Sequence, residues 1–157
     1  MVVTADTYDA VAYNFYAWMG CAMAMTFSNL GTAFGTAKSG MGIASLSVTR
    51  PHLAFKSIIP IIMAGILSIY GLIISVLLAQ KITVQVETAT PPMNYLGAGL
   101  VSGFSNVFAG YAIGVVGEQG VKYFAINENI LVALILLLIF AEVLGLYGMI
   151  ISIIVSI

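Results

Sequence analysis

Residues 139–152 read Ile-Phe-Ala-Glu-Val-Leu-Gly-Leu-Tyr-Gly-Met-Ile-Ile-Ser, and this stretch decides how the whole chain is read. It lies within an apolar run, residues 130–157, whose one charged side chain is Glu142, near its middle. A carboxylate at bilayer depth costs roughly 2.5–3.5 kcal/mol even on lenient insertion scales. The run holds no cation. The carboxyl is therefore either protonated or paired with a cation from another chain.

The same pattern occurs once before. Ala64-Gly-Ile-Leu-Ser-Ile-Tyr-Gly-Leu-Ile-Ile-Ser75 aligns with Ala141-Glu-Val-Leu-Gly-Leu-Tyr-Gly-Met-Ile-Ile-Ser152, with seven of twelve positions identical. The offset, from Tyr70 to Tyr147, is 77 residues, and it also maps Gly20 on Gly97, Phe27-Ser28-Asn29 on Phe104-Ser105-Asn106, and Gly40 on Gly117. An unbroken offset through helices and a loop points to duplication of one helical hairpin. Each copy holds two spans, so the repeats are parallel, unlike the inverted repeats of many secondary transporters. Gly65 occupies the place of Glu142 in the first copy. A purely structural need would affect both copies; a chemical role needs only one.

Composition sets the class. The chain has 157 residues, 61% hydrophobic and 7% charged, and a mean hydropathy of +1.10. Soluble domains carry about 25% charged residues, so this is an all-α membrane protein. Four transmembrane helices are expected, at about 12–37, 54–80, 93–117 and 130–157. They form one membrane domain over 1–157, with the first hairpin repeat at about 12–80 and the second at about 93–157. The connections are expected at 38–53, 81–92 and 118–129. Pro91-Pro92 marks a break before the third helix, and Pro60 is placed to kink the second. No basic stripe offers a nucleic-acid surface. One cysteine, Cys21, excludes an internal disulfide and a cysteine-based metal cluster. Neither a cofactor nor a metal is expected. The first ten residues hold two acids and no Lys or Arg, unlike the n-region of a cleaved signal peptide.

Charge orients the bundle. Lys38, Arg50, Lys56 and Lys122 lie in or beside the first and third connections, and Lys81 alone in the second. The positive-inside rule then puts connections one and three in the cytoplasm, and both termini and connection two on the lumenal or outer side. Small residues set the packing. Helix one carries Gly20, Ala24, Ser28, Thr32 and Thr36 at i+4 spacing, with Gly31 and Gly35 beside them. Helix three carries Ala98, Ser102, Asn106, Gly110 and Gly114, with Gly99 and Gly103 beside them. Such stripes let helix backbones approach closely. Helices two and four carry bulky Ile, Leu and Val instead. Two arrangements satisfy this pattern: a tight layer of helices one and three within a ring of subunits, or a plain four-helix bundle with the small faces inside.

Several longer stretches together resemble the proteolipid c subunits of eukaryotic vacuolar-type proton ATPases. They are Leu30-Gly-Thr-Ala-Phe-Gly-Thr-Ala-Lys-Ser-Gly-Met-Gly-Ile43, Arg50-Pro-His-Leu53, Ile62-Met-Ala-Gly-Ile66, Ile69-Tyr-Gly71, Leu96-Gly-Ala-Gly-Leu100 and Ile139-Phe-Ala-Glu-Val-Leu-Gly-Leu-Tyr-Gly148. The resemblance covers nearly the whole chain; residues 81–90 and 121–129 match no pattern of the family. It implies duplicated hairpins assembled into a membrane rotor ring in a vacuolar or other acidic endomembrane. It implies that Glu142 carries the transported proton. The implied partners are copies of the chain and related proteolipids, the a subunit supplying an arginine, the d subunit of the central stalk, a peripheral sector that hydrolyses ATP, and lipid.

Facing lipid, the charged form of Glu142 is disfavoured by desolvation; facing water and a partner's cation, it is favoured. The chain has no phosphate-binding loop, so it is not an enzyme alone. Tyr70 and Ser68 are candidate hydrogen-bond partners of the carboxyl, and Tyr70 and Tyr147 fit equally well as interface aromatics. Sodium-carrying relatives surround their glutamate with Gln and Thr oxygens. The aligned stretch here is mostly apolar, which favours a proton over a hard cation. A sodium ring and a tetraspan structural or pore-forming protein remain alternatives. Asn29 and Asn106 are expected to bond across helices, Glu118 and Glu128 to lie in water, His52 to be exposed, and Cys21 to serve as a small packing residue.

Overall fold

The computed structural model describes residues 5–84 and 92–157. Those residues form four helices: α1 (Ala5–Thr49), α2 (Ile59–Val84), α3 (Pro92–Phe124) and α4 (Leu131–Val155). Single 3-10 turns at Pro51–Leu53, Lys56–Ile58 and Glu128–Ile130 lead into α2 and α4. Of the second connection, residues 85–91, with Glu87 and Pro91, lie outside the described part.

Two helices run further than their polarity suggested. α1 passes Lys38 and continues to Thr49, and α3 passes Glu118 to Phe124. The hydroxyls that read as a loop bond back into their own helix. Ser45 donates to the Gly42 carbonyl at 2.7 Å, Ser47 to Ala44 at 2.8 Å, and Thr49 to Leu46 at 3.0 Å. These are local bonds that a helix surface accepts. The first loop therefore shrinks to the segment around Arg50–Ile58 and the third to 125–130. α1 stops where proline forces it to: Arg50, before Pro51, leaves the helical region at φ −141° and ψ 78°, because an α conformation there clashes with the proline ring. Pro60 does not kink α2. It is the second residue of the helix, where a missing N–H breaks no helical bond. Pro92 opens α3 for the same reason.

Among the described residues three stretches are long and apolar enough to cross a membrane: Lys56–Ile82, Met93–Phe124 and Glu128–Val155. α1 has the length, at 45 residues, but its glycines, serines and threonines lower its hydropathy. It packs lengthwise on α3, in the most extensive interface of the fold, so the four helices form one unit.

α1 and α3 run parallel and in register. Phe27 stacks on Phe104 at 5.0 Å and Phe34 on Tyr111 at 5.1 Å, each pair separated by the repeat offset. Between these helices the glycines serve for space, since no described residue has a positive φ. A methyl group on Gly31 would strike the Asn106 carbonyl, and one on Gly110 the Gly31 carbonyl. Gly20 and Gly99 interlock likewise, Gly99 against the Gly20 backbone. Gly35 approaches the Gly110 carbonyl, and Gly103 the Cβ of Phe27. Gly114 is looser, 3.1 Å from Gly35 Cα at its absent Cβ.

α2 packs on α1 and α3, and α4 on α3 and α2. Their outer faces expose Ile62, Ile69, Val76, Leu136, Phe140 and Ile154, as lipid or neighbouring copies require. The core has two apolar clusters. One, around Leu46, Leu67, Ile113 and Leu138, fills the loop end; the other, around Ala24, Ile74, Leu78 and Tyr95, fills the terminal end. Between them lies a polar waist of Ser28, Ser102 and Asn106, all fully buried.

Candidate functional site

Glu142 sits on α4 beside that waist, half-buried at the edge where α4 meets α2. The hydroxyl of Tyr70, on α2, donates to Glu142 Oε1 at 3.1 Å. Tyr70 is held by packing against the loop-end core. By the repeat, Tyr70 stands level with Tyr147, and Glu142 with Gly65. The two side chains therefore bridge more than one helical turn. The tilt of helical side chains toward their N-terminus brings Tyr70 down to the carboxyl.

The other candidate partner lies elsewhere. Ser68 Oγ donates to the Gly65 carbonyl of its own helix at 2.9 Å. Tyr147, aligned with Tyr70, points outward and is 58% exposed. Gly65 has open space where a side chain would begin.

Glu142 belongs to none of the ion pairs among the described residues. Lys38 lies within α1, and the other cations sit at or near helix ends. Glu118 pairs with Lys122 at 2.7 Å and with Lys38 at 3.5 Å, and Arg50 approaches Glu128 at 3.9 Å. Glu118 is thus part of a charge cluster that ties α1 to α3, rather than a loop charge in water. Lys81 donates to the Ser156 carbonyl at 2.6 Å, which places a cation at the negative end of the α4 dipole. His52 is exposed. Cys21 is buried, with Sγ 3.0 Å from Ser75 Oγ. Among the described residues no group of three His, Cys, Asp or Glu side chains is placed to hold a metal.

A carboxyl so placed can exist in two states. Protonated, it accepts the Tyr70 hydroxyl at its carbonyl oxygen and keeps its own O–H. Ionised, it receives the same hydroxyl as a charge-assisted bond. Tyr70 serves both states without gaining or losing a proton.

The cross-helix bond expected of Asn106 is present, and two others were not anticipated from the sequence. Asn106 Nδ2 donates to Ser28 Oγ at 2.8 Å, while Asn29 is exposed. Ser105 Oγ donates to the Leu144 carbonyl at 2.6 Å, and Ser152 Oγ to the Ala98 carbonyl. The only signal for Ser105 and Ser152 was their place in the repeat, aligned with Ser28 and Ser75.

The family of the ATP synthase C subunit matches the chain twice, at residues 19–78 and 96–155, again 77 residues apart. The 16 kDa proteolipid c subunit of the V-type proton ATPase of Rattus norvegicus is 52% identical over 143 residues, covering 91% of this chain and 92% of the relative. The Homo sapiens protein of the same name matches to the same extent. The c' subunit of the V-type proton ATPase of Candida glabrata is 45% identical over 157 residues, covering 99% of this chain and 96% of that one.

Proposed function

Since the chain belongs to the ATP synthase C-subunit family, among the proteolipids of V-type proton ATPases, we propose that Glu142 is the proton carrier of its rotor ring and Tyr70 the carboxyl's fixed donor. The observation that carries the reading is the Tyr70–Glu142 bond, at the outward edge between α2 and α4 and remote from every cation of the chain.

The neutral carboxyl travels through lipid with its carbonyl held by Tyr70. At a water-filled half-channel it releases its proton to water. The carboxylate then pairs with an arginine of the a subunit, because this chain supplies no cation at that depth. Past the arginine it takes a proton from the second half-channel and re-enters lipid. ATP hydrolysis belongs to the peripheral sector, and its torque reaches the ring through the stalk at the loop end. That end carries Lys38, Arg50, Lys56 and Lys122 and faces the cytoplasm; an acidic stalk surface, such as that of the d subunit, complements it. The C-terminus and Lys81 face the acidic lumen. One carboxyl per four helices moves fewer protons per turn, so each proton receives more of the ATP free energy. That suits a pump building a steep gradient.

Replacing Glu142 by Gln keeps the size and the acceptor for Tyr70 but removes the two-state proton. Vesicle acidification is expected to be lost while rings of normal size assemble. Acidification near the wild-type rate would overturn the assignment. A hydrophobic carbodiimide should label Glu142 in the wild type, and protection by sodium at neutral pH would turn the reading to a sodium ring.

A further inference from the structure

The buried waist is unequal in the two repeats. Ser28 and Ser105 are equivalent, but Asn106 is fully buried while its equivalent Asn29 is exposed. Asn106 Nδ2 is anchored on Ser28 Oγ at 2.8 Å. Its Oδ1 has no hydrogen-bond partner and no exposure. That oxygen faces Gly145: a methyl group there would come within 2.6 Å of Asn106 Oδ1, and equally within 2.6 Å of Leu67 Cδ2. An oxygen suits this place better than an NH2 group would. Flipped, the amide would turn an N–H against the Cα hydrogens of Gly145, whereas an oxygen there makes a weak C–H···O contact. A buried acceptor without an N–H or O–H donor is costly. An apolar side chain would fill the space without that cost.

The position explains why the cost is borne. Gly145 lies one turn after Glu142, and Leu67 one turn before Tyr70, so their contact sits between the two bonded side chains. Next to it, Ser105 holds the Leu144 carbonyl at 2.6 Å. Adjacent residues of α3 thus grip adjacent residues of α4 and set its rotation against α2. We infer that Asn106 is the positioning residue of the carboxyl site: anchored on α1 through Ser28, it seats α4 at Gly145 so that Glu142 meets the Tyr70 hydroxyl. This rests on the reading of Glu142 as the proton carrier.

The test uses the infrared carboxyl band of Glu142 in assembled rings, assigned as the band lost in Glu142→Gln. Tyr70→Phe removes the hydrogen bond at the carbonyl and should move the band to higher frequency. Asn106→Leu should move it in the same direction by a comparable amount, and adding it to Tyr70→Phe should move it no further. Asn29→Leu, the same change in the other repeat, should leave it in place. If Asn106→Leu rings fail to assemble, Ser28→Ala, which removes only the anchor, should give a smaller shift of the same sign. An unmoved band in Asn106→Leu, or in Ser28→Ala where that variant decides, overturns the inference. So does an equal shift in Asn29→Leu. If no carboxyl band is lost in Glu142→Gln, the proton-carrier reading itself falls.

Discussion

The two hairpins share a frame and divide the chemistry. In the first, Gly71 closes over Ser28 and Ser75 meets Cys21; in the second, Gly148 closes over Ser105 and Ser152 meets Ala98. These are the same contacts 77 residues apart. The Tyr70–Glu142 bond does not repeat. The carboxyl comes from the second hairpin and its donor from the first, while the equivalents Gly65 and Tyr147 stand apart on open faces. Duplication therefore preserved what packs and freed the rest to specialise. The site exists only where α2 of one repeat meets α4 of the other, so neither hairpin alone contains it.

The largest effect is expected in the shared frame. Gly31 sits against the backbone of Asn106 and Val107, and Gly110 against that of Gly31. A leucine at either position has no rotamer that avoids the facing helix, and α1 and α3 would have to separate. Overpacking a core costs about 1–3 kcal/mol. Here the clash is with backbone, which cannot yield as a side chain does. Gly110→Leu should abolish ring assembly, as judged by native gel or imaging. A ring of wild-type size would show that the inner layer is looser than the interlocked glycines imply.

An intermediate effect separates the two tyrosines. Tyr70→Phe removes one hydrogen bond worth about 1 kcal/mol, or about fivefold in rate where the bond is made in the rate-limiting step and not in the state before it. Tyr147→Phe removes a hydroxyl that meets no carboxyl in its own chain. Proton pumping should therefore fall about fivefold in the first and change little in the second, with ring assembly intact in both. Equal losses would mean that the repeats are functionally equivalent at this level and that the Tyr70 contact is incidental.

How much of this was legible in the sequence depended on what each residue could signal. The helices were legible because apolar length and small-residue spacing are intrinsic to the chain. The place of Glu142 midway along α4 followed from its apolar run. Tyr70 and Ser68 stood together as candidate partners. Sequence distance does not separate them, but side-chain length does, since a serine hydroxyl reaches its own helix and a tyrosine hydroxyl reaches the next. The end of α1 was misread because serine and threonine look like loop residues until their bonds to the preceding turn are seen, and that of α3 because Glu118 and Lys122 look like loop charges until they pair one turn apart. Glu118 looked solvated because its partner Lys38 lies on another helix. Asn106 and Asn29 are the same letter at equivalent positions. Only tertiary packing makes one buried and the other exposed.

The smallest change in the fold, and the sharpest test of the division between repeats, is expected at Gly65. It is the position aligned with Glu142, and the space above it is open. If subunits of a ring repeat across their boundary the α2–α4 meeting found within this chain, Tyr147 would stand near Gly65 of its neighbour, as Tyr70 stands by Glu142. A carboxyl at Gly65 would then find a waiting donor and enter the membrane protonated. Gly65→Glu should assemble normally and take a second carbodiimide label per chain at residue 65, more slowly at high pH, as at Glu142. Failure to assemble would mean that the neighbouring copy already fills the space. Assembly with no label at residue 65 would mean that the two repeats differ in their surroundings as well as in the one residue that distinguishes them.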